Sequence, residues 1–357
     1  MSRRWLIAPA AVITLLIVAA VFGDRLLLRA MQRQVVSTLS GEAFAQYAEG
    51  LNIVLCGSGS PMPDPKRAGP CVAVVAGGRI VVIDVGSAAV RNFPQLGLPP
   101  GRVEALLLTH FHSDHIDGLG ELMLQRWAGG ARDTPLPVQG PAGVEPIVDG
   151  FNLAYGHDFG YRVAHHGPAV IPPSGAGARA LAFTMPGDGE SRVVLDDDGL
   201  RITAFSVTHA PVEPAVGYRI DYRGRSAVIS GDTIKSDNLA RFAQDVDLLV
   251  HEALAVHLVD VITAGARAAD AGHMAQITLD IHDYHTTPVQ AAELAQAVRA
   301  KHLLYYHIVP ALPLRRLEKL FIQGVAEVYD GPVTVGRDGT WIQLPEASTD
   351  VRLRRRG

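Results

Sequence analysis

The stretch Thr109-His110-Phe111-His112-Ser113-Asp114-His115 places three histidines and an aspartate within six residues, directly after the apolar run "EALLL". Polar side chains at the end of a buried strand cost free energy unless they are hydrogen-bonded, paired or bound to a metal. The arrangement recurs along the chain: His209 ends "RITAFSVTH", Asp232 ends "RSAVISGD" and His307 ends "KHLLYYH". A lone strand-end histidine is usually a cap or a core residue. Four such strand ends, one of them leading into a His-x-His-x-Asp-His cluster, demand a common purpose. A compatible fold must bring four strand ends to one sheet rim, which is where layered α/β bodies gather their sites.

The remaining pattern predicts such a body. Strands are expected at "LNIVLC", at "CVAVVAGG" and "RIVVIDVG" around a Gly-Gly turn, and at "LPVQG", "AVGYRIDY" and "DLLVHEA". Helices are expected over "IDGLGELMLQRW", over "GVEPIVDGFNLAYG", from about residue 254 to 271, and over "TTPVQAAELAQAVRAK". In the last of these, Pro288 lies in the first turn, where proline is tolerated. "PVTVGRDGTWIQL" reads as a closing hairpin. Strand, loop and helix in alternation predict an α/β sandwich of two sheets with helices outside, spanning residues 51–345. Residues 156–192, weakly periodic and rich in Gly and Pro, read as an insertion or cap, and the basic tail 346–357 as a solvated terminus.

The first 34 residues stand apart. Trp5 to Phe22 is an 18-residue run without a charge, about 27 Å long as a helix and close to the thickness of a bilayer core. Arg3 and Arg4 precede it and no clean cleavage site follows, so an uncleaved transmembrane signal anchor is expected, with an amphipathic helical spacer after it. With the N-terminus inside, the catalytic body is periplasmic or otherwise extracytoplasmic. Cys56 and Cys71 flank one loop in strand-like runs; they either form a disulfide across a hairpin or stay as two small buried thiols.

Imidazoles and carboxylates without a thiolate suit Zn²⁺ and tolerate Mn or Fe. Seven candidates, His110, His112, Asp114, His115, His209, Asp232 and His307, exceed the needs of one tetrahedral ion. They suit two divalent ions sharing a carboxylate. Two neighbouring cations can hold a hydroxide between them for attack and neutralise charge on the attacked group, which is the chemistry of hydrolysis.

"THFHSDH" resembles the signature of the metallo-β-lactamase superfamily, and "VIDVG" (Asp84), "VTHAP" (His209), "SGDT" (Asp232) and "YYH" (His307) resemble its later elements in the same order. The resemblance implies a four-layer αββα sandwich in which His110, His112 and His209 bind one ion, Asp114, His115 and His307 the other, and Asp232 bridges. A finer resemblance is to the ribonuclease Z and arylsulfatase-like branch. It rests on "LCGSGSPMPDPKRAGP", on "VHEA" with Glu252, where Leu254 replaces the usual Thr, and on "HTTPVQAAELA" with His285. It implies that His285 gives a proton to the leaving oxygen and that Glu252 orients it, beside Asp114 and the ions.

The likeness breaks at one place. Bacterial tRNA-processing members carry a protruding arm between the third ligand histidine and the bridging aspartate, whereas His209 and Asp232 are 23 positions apart. The net charge of −4 offers no basic footprint for a phosphate backbone. The expectation is therefore a membrane-anchored hydrolase of small phosphodiester or sulfate esters, with the membrane engaged through residues 5–22, a homodimer, and nucleic acid disfavoured. Ribonuclease Z-type cleavage of tRNA precursors, and lactonase or other ester hydrolysis, are the alternatives.

Overall fold

In a computed structural model describing residues 7–355, the chain divides into two units, Met1–Gln46 and Tyr47–Gly357. The first is built on one helix, α1 (Ile7–Ser40). It corrects the expected transmembrane helix: among the described residues, no helix is long and apolar enough to cross a membrane. Residues 1–6 and the side chains of 7–22, on which most of the expected anchor falls, lie outside the described residues. The segment expected as a helical spacer is part of this helix, which runs unbroken through Asp24, Arg25, Arg29 and Arg33.

The second unit begins with β1 (Leu51–Gly57), β2 (Cys71–Ala76) and β3 (Arg79–Ile83), paired antiparallel in sequence. Gly77 and Gly78 make the β2–β3 turn, both at positive φ, a conformation that costs glycine nothing. Helix α2 (Ala89–Leu96) follows, then β4 (Val103–Leu107), α3 (Ser113–Ile116), α4 (Leu119–Gly130), β5 (Leu136–Pro141), α5 (Val144–His166) and β6 (Ala178–Phe183). The second half holds β7 (Arg192–Asp197), β8 (Leu200–Ser206), β9 (Val216–Tyr222), β10 (Arg225–Ile229), α6 (Asp237–Phe242) and β11 (Leu248–Leu254). A helical hairpin, α7 (Val256–Ala268) and α8 (Gly272–Asp280), separates β11 from α9 (Pro288–Ala297). Strand β12 (Leu303–Val309), α10 (Arg315–Phe321), β13 (Val333–Val335), β14 (Thr340–Leu344) and β15 (Arg352–Arg355) complete the chain.

Two sheets result, ordered β15-β14-β1-β2-β3-β4-β5-β6 and β13-β12-β11-β10-β9-β8-β7. Period-two alternation sorts their side chains. In β11 and β12, Leu248, Val250, Leu304 and Tyr306 enter the core shared by both sheets, with Ile53, Val74, Val81 and Leu107 of the first sheet. Their neighbours Leu249, Leu303 and Tyr305 pack outward against Ala291, Leu294 and Ala295 of α9. On the first sheet, α2 contacts β1, and α4 and α5 contact β5. The α/β sandwich with helices outside is thus the observed architecture.

Three local expectations change. The segment 156–192 is not irregular throughout: it holds the end of α5 and the sheet-edge strand β6. "PVTVGRDGTWIQL" does not close as a hairpin, because β13 joins β12 in one sheet while β14 joins β1 in the other. Gly336 donates its amide to Tyr305 and Gly339 donates to Leu55, so the intervening turn crosses between sheets. Within the basic tail, β15 pairs antiparallel with β14, and the Arg354 guanidinium lies 5.6 Å from the Trp341 ring centre. Cys56 and Cys71 form a disulfide from β1 to β2, closing the loop that carries Ser60 to Pro65.

Candidate metal centre

All seven candidate ligands meet at one rim of the sandwich. His110 and His112 lie just after β4, Asp114 and His115 in α3, His209 after β8 and Asp232 after β10. His307 needs a device of its own, since β12 is buried along its whole length. Pairing with β11 shifts register there: Glu252 opposes Tyr306, but Ala253 opposes Ile308, leaving His307 as the extra residue of a bulge. Its φ of 43° lies in the left-handed region, which bulky residues avoid. Strain of this kind persists where surrounding packing imposes it, and here it aims an imidazole at the site. Asp84 is held similarly, at φ 55°.

Ligand-type atoms of His110, His112, His209 and Asp232 lie within 4.8 Å of one another, as do those of Asp114, His115 and His307. Asp232 adjoins both groups: its Oδ2 is 3.9 Å from His110 Nε2, 3.3 Å from His115 Nε2 and 3.2 Å from His307 Nε2. The donor set fits two divalent ions. His115 Nε2, His209 Nε2, Asp232 Oδ1 and His307 Nδ1 are buried with no hydrogen-bond partner among the described residues. Uncompensated, each such atom costs about 1–3 kcal/mol, so the cluster is costly unless something positive fills it.

Surrounding groups orient the rings. Asp84 accepts hydrogen bonds from the Thr109 amide and hydroxyl and lies 2.8 Å from His115 Nδ1, which turns Nε2 toward Asp232. The Tyr284 carbonyl does the same for His209, accepting from Nδ1 at 2.9 Å. Such contacts fix the tautomer and raise ligand basicity. At Gly86 a Cβ would overlap the Asp114 carbonyl, so only glycine allows this close approach.

Electrostatics divide the cluster. Burial, followed by the His115 charge, pushes the His110 imidazole well below its ordinary range. Burial opposes charge on His115 too, but Asp232, Asp114 and Asp84 outweigh it and hold that ring well above the range. Burial likewise disfavours the Asp232 carboxylate, yet His307 and His115 hold it well below the usual carboxylate range.

Glu252 and His285 stand beside the cluster. Glu252 Oε2 lies 3.3 Å from His285 Nδ1. The other oxygen, Oε1, accepts the amides of Thr286 at 2.8 Å and Thr233 at 3.4 Å. Burial disfavours a charged His285, but Glu252, ahead of Asp232 and Asp114, raises its pKa. Atoms of Asp232, His285 and His307 also fall within 4.8 Å of one another. Five further histidines, His165, His166, His257, His273 and His282, enter none of these groups. Tyr284, Thr233 and Thr286 were not legible as site residues, because each acts at least partly through its backbone, which has no side-chain signature. The only hint is that Tyr284 precedes His285.

A β-sandwich carrying two His/Asp clusters at one rim, with a second carboxylate–histidine pair beside them, defines a class of metal-dependent hydrolase. Residues 64–281 match the metallo-beta-lactamase superfamily, and the chain belongs to it. It is 34% identical to ribonuclease Z of Mycobacterium bovis over 290 residues, covering 81% of this chain and 96% of that one. It is also 34% identical to ribonuclease Z of Mycobacterium avium over 300 residues, covering 84% and 100%. Among solved structures, human tRNase Z, short form, shares the fold with a TM-score of 0.56 at 22% identity, over 82% of this chain and 99% of that one. The superfamily fold implies a dinuclear metal site, and the clusters provide for it.

Proposed function

We propose that this chain is a zinc-loaded phosphodiester hydrolase of the ribonuclease Z type that cleaves RNA. The observation that carries the reading is the Glu252–His285 pair set against Asp232 and His307, in a chain alike to ribonucleases Z over nearly their whole length. This reverses the order drawn from the sequence, which put small phosphodiester or sulfate esters first and ribonuclease Z-type cleavage as an alternative. Sulfate esters drop behind phosphodiesters for the same reason.

His110, His112 and His209 would hold one ion, Asp114, His115 and His307 the other, and Asp232 would touch both. When bound, the ions would lower the pKa of water and neutralise charge on the phosphoryl group. Asp84 and the Tyr284 carbonyl keep His115 and His209 in the tautomer that leaves Nε2 free. Glu252, fixed by two backbone amides, engages His285 Nδ1, so the proton available to the leaving oxygen is on Nε2. Asp114 keeps a carboxylate oxygen 3.2 Å from His307 Nε2.

A second reading, hydrolysis of small phosphodiesters, is favoured by the short path from His209 to Asp232. It is filled by the β9–β10 hairpin, with no projecting arm. One experiment separates the two. Zinc-loaded protein is given a tRNA precursor with a 3′ trailer, bis(p-nitrophenyl) phosphate and p-nitrophenyl sulfate. Endonucleolytic cleavage of the precursor supports the RNA reading. Turnover of the diester with an intact precursor supports the second, and turnover of sulfate alone defeats both.

A further inference from the structure

The pocket beside the clusters, a cavity of about 380 Å³, has a wall that hydrolysis leaves unused. His112, Asp114, Asp232, His285 and His307 line one part of it. Another part is apolar: Met62 from the disulfide-closed loop, Met274 and Ile277 of α8, Ile281 in the turn after it, Tyr284, and Val309 at the end of β12.

This wall is a built feature. Met62, Val256 and Ile281 pack on Leu254, Val259 and Val309 as a small apolar cluster separate from the two main cores. The α7–α8 hairpin is tied by a buried hydrogen bond between the hydroxyls of Thr263 and Thr278. Yet Met274 is 43% exposed and Ile277 is 50% exposed, so large apolar side chains face an open pocket rather than a packed core. No lysine or arginine is found among the described residues that line it. Two thioethers and a tyrosine ring favour a flat aromatic partner over an alkyl chain, through sulfur–ring and ring–ring contacts. The wall also runs directly into His285 along the chain, with Ile281 and Tyr284 just before it.

We propose that this wall is a subsite for a planar aromatic ring, an aryl group or a nucleobase, carried on the side of the phosphodiester that His285 faces. The proposal rests on the phosphodiesterase reading but not on RNA as the substrate. It seats one ring next to the phosphate at the metal centre, because the wall has apolar surface for a ring and no lysine or arginine among the described lining residues for a second phosphate there.

The test measures binding by calorimetry on zinc-loaded full-length protein, using methylphosphonate, phenylphosphonate and thymidine 5′-monophosphate. Burying a ring against this wall should make phenylphosphonate or the nucleotide bind about tenfold tighter than methylphosphonate. An advantage confined to phenylphosphonate identifies a simple aryl subsite, and one confined to the nucleotide a base subsite. Ile277→Gln, or Met274→Gln on the same exposed face, should bring the ratio toward one. Val261→Gln, on α7 and outside the pocket, should keep it. A wild-type ratio near one, or a ratio untouched by both α8 substitutions, overturns the proposal. Failure to hydrolyse both bis(p-nitrophenyl) phosphate and the tRNA precursor, with the ratio intact, would instead reject the phosphodiesterase reading and leave the subsite standing.

Discussion

Strand β12 has a buried histidine near each end, and the two could hardly differ more. His302, just before the strand, sits 2.9 Å from the Thr334 hydroxyl through Nε2, and burial pushes its pKa down to about 4. It is a neutral ring serving the fold. His307 lies in the bulge opposite β11, at positive φ, with Asp114 and Asp232 each 3.2 Å from its Nε2. Burial is shared by the two; the departure from regular pairing and the convergence of carboxylates belong to His307 alone. What marks a ligand is the company that the backbone arranges for it.

That contrast can be broken most forcefully at His307. His307→Ala should lower turnover of bis(p-nitrophenyl) phosphate on the order of a thousandfold, with loss of zinc measured by elemental analysis, while His302→Gln leaves both unchanged. Equal losses would show that the two ends are not different in kind. His285→Ala should cost about a hundredfold on diesters with poor leaving groups and less on nitrophenyl esters; a uniform loss would remove its role as proton donor. Asp84→Asn should weaken zinc binding by roughly tenfold, measured by competition with a chelator, because it leaves every ligand in place and disturbs the orientation of His115.

A different effect, on stability and not on activity, falls on His302. Its folded pKa of about 4 lies below the ordinary 6.5, so the unfolded chain takes up a proton before the folded one does. Stability should therefore decline as pH falls from 6.5 toward 4, by about 3 kcal/mol at most. His302→Gln should flatten that decline in urea midpoints measured across the interval, and an unchanged slope would show that another group is responsible.

The ligands were legible because imidazoles and carboxylates at the ends of apolar strands have no cheaper explanation. The sandwich was legible because period-two alternation and turn residues are local. How His307 reaches the site was not, since a bulge in a parallel pair is set by the neighbouring strand. The separation of β13 and β14 into different sheets was hidden likewise, because "GRDG" suits a hairpin as well as a crossing. Met274 and Ile277 lie beyond the helix expected to end near residue 271, and only their exposure beside the cluster gives them a role. The substrate order rested on the short His209–Asp232 interval, while the extent of the likeness to ribonucleases Z, over 290 residues, lies outside what a few motifs carry. The N-terminal anchor is not borne out either: among the described residues no helix is long and apolar enough to cross a membrane.

The bulge at His307 also sets how the gene can vary. Upstream of it, Tyr306 points into the shared core and Tyr305 outward; downstream, Ile308 points outward again. The bulge absorbs His307, so that the alternation before it and the alternation after it stay in phase. Deleting one codon between Leu303 and Tyr306 would turn part of the strand inside out or draw His307 into the regular ladder, away from the site. Length changes should therefore be rarer in this strand than in the surface turns, whatever side chains are substituted along it.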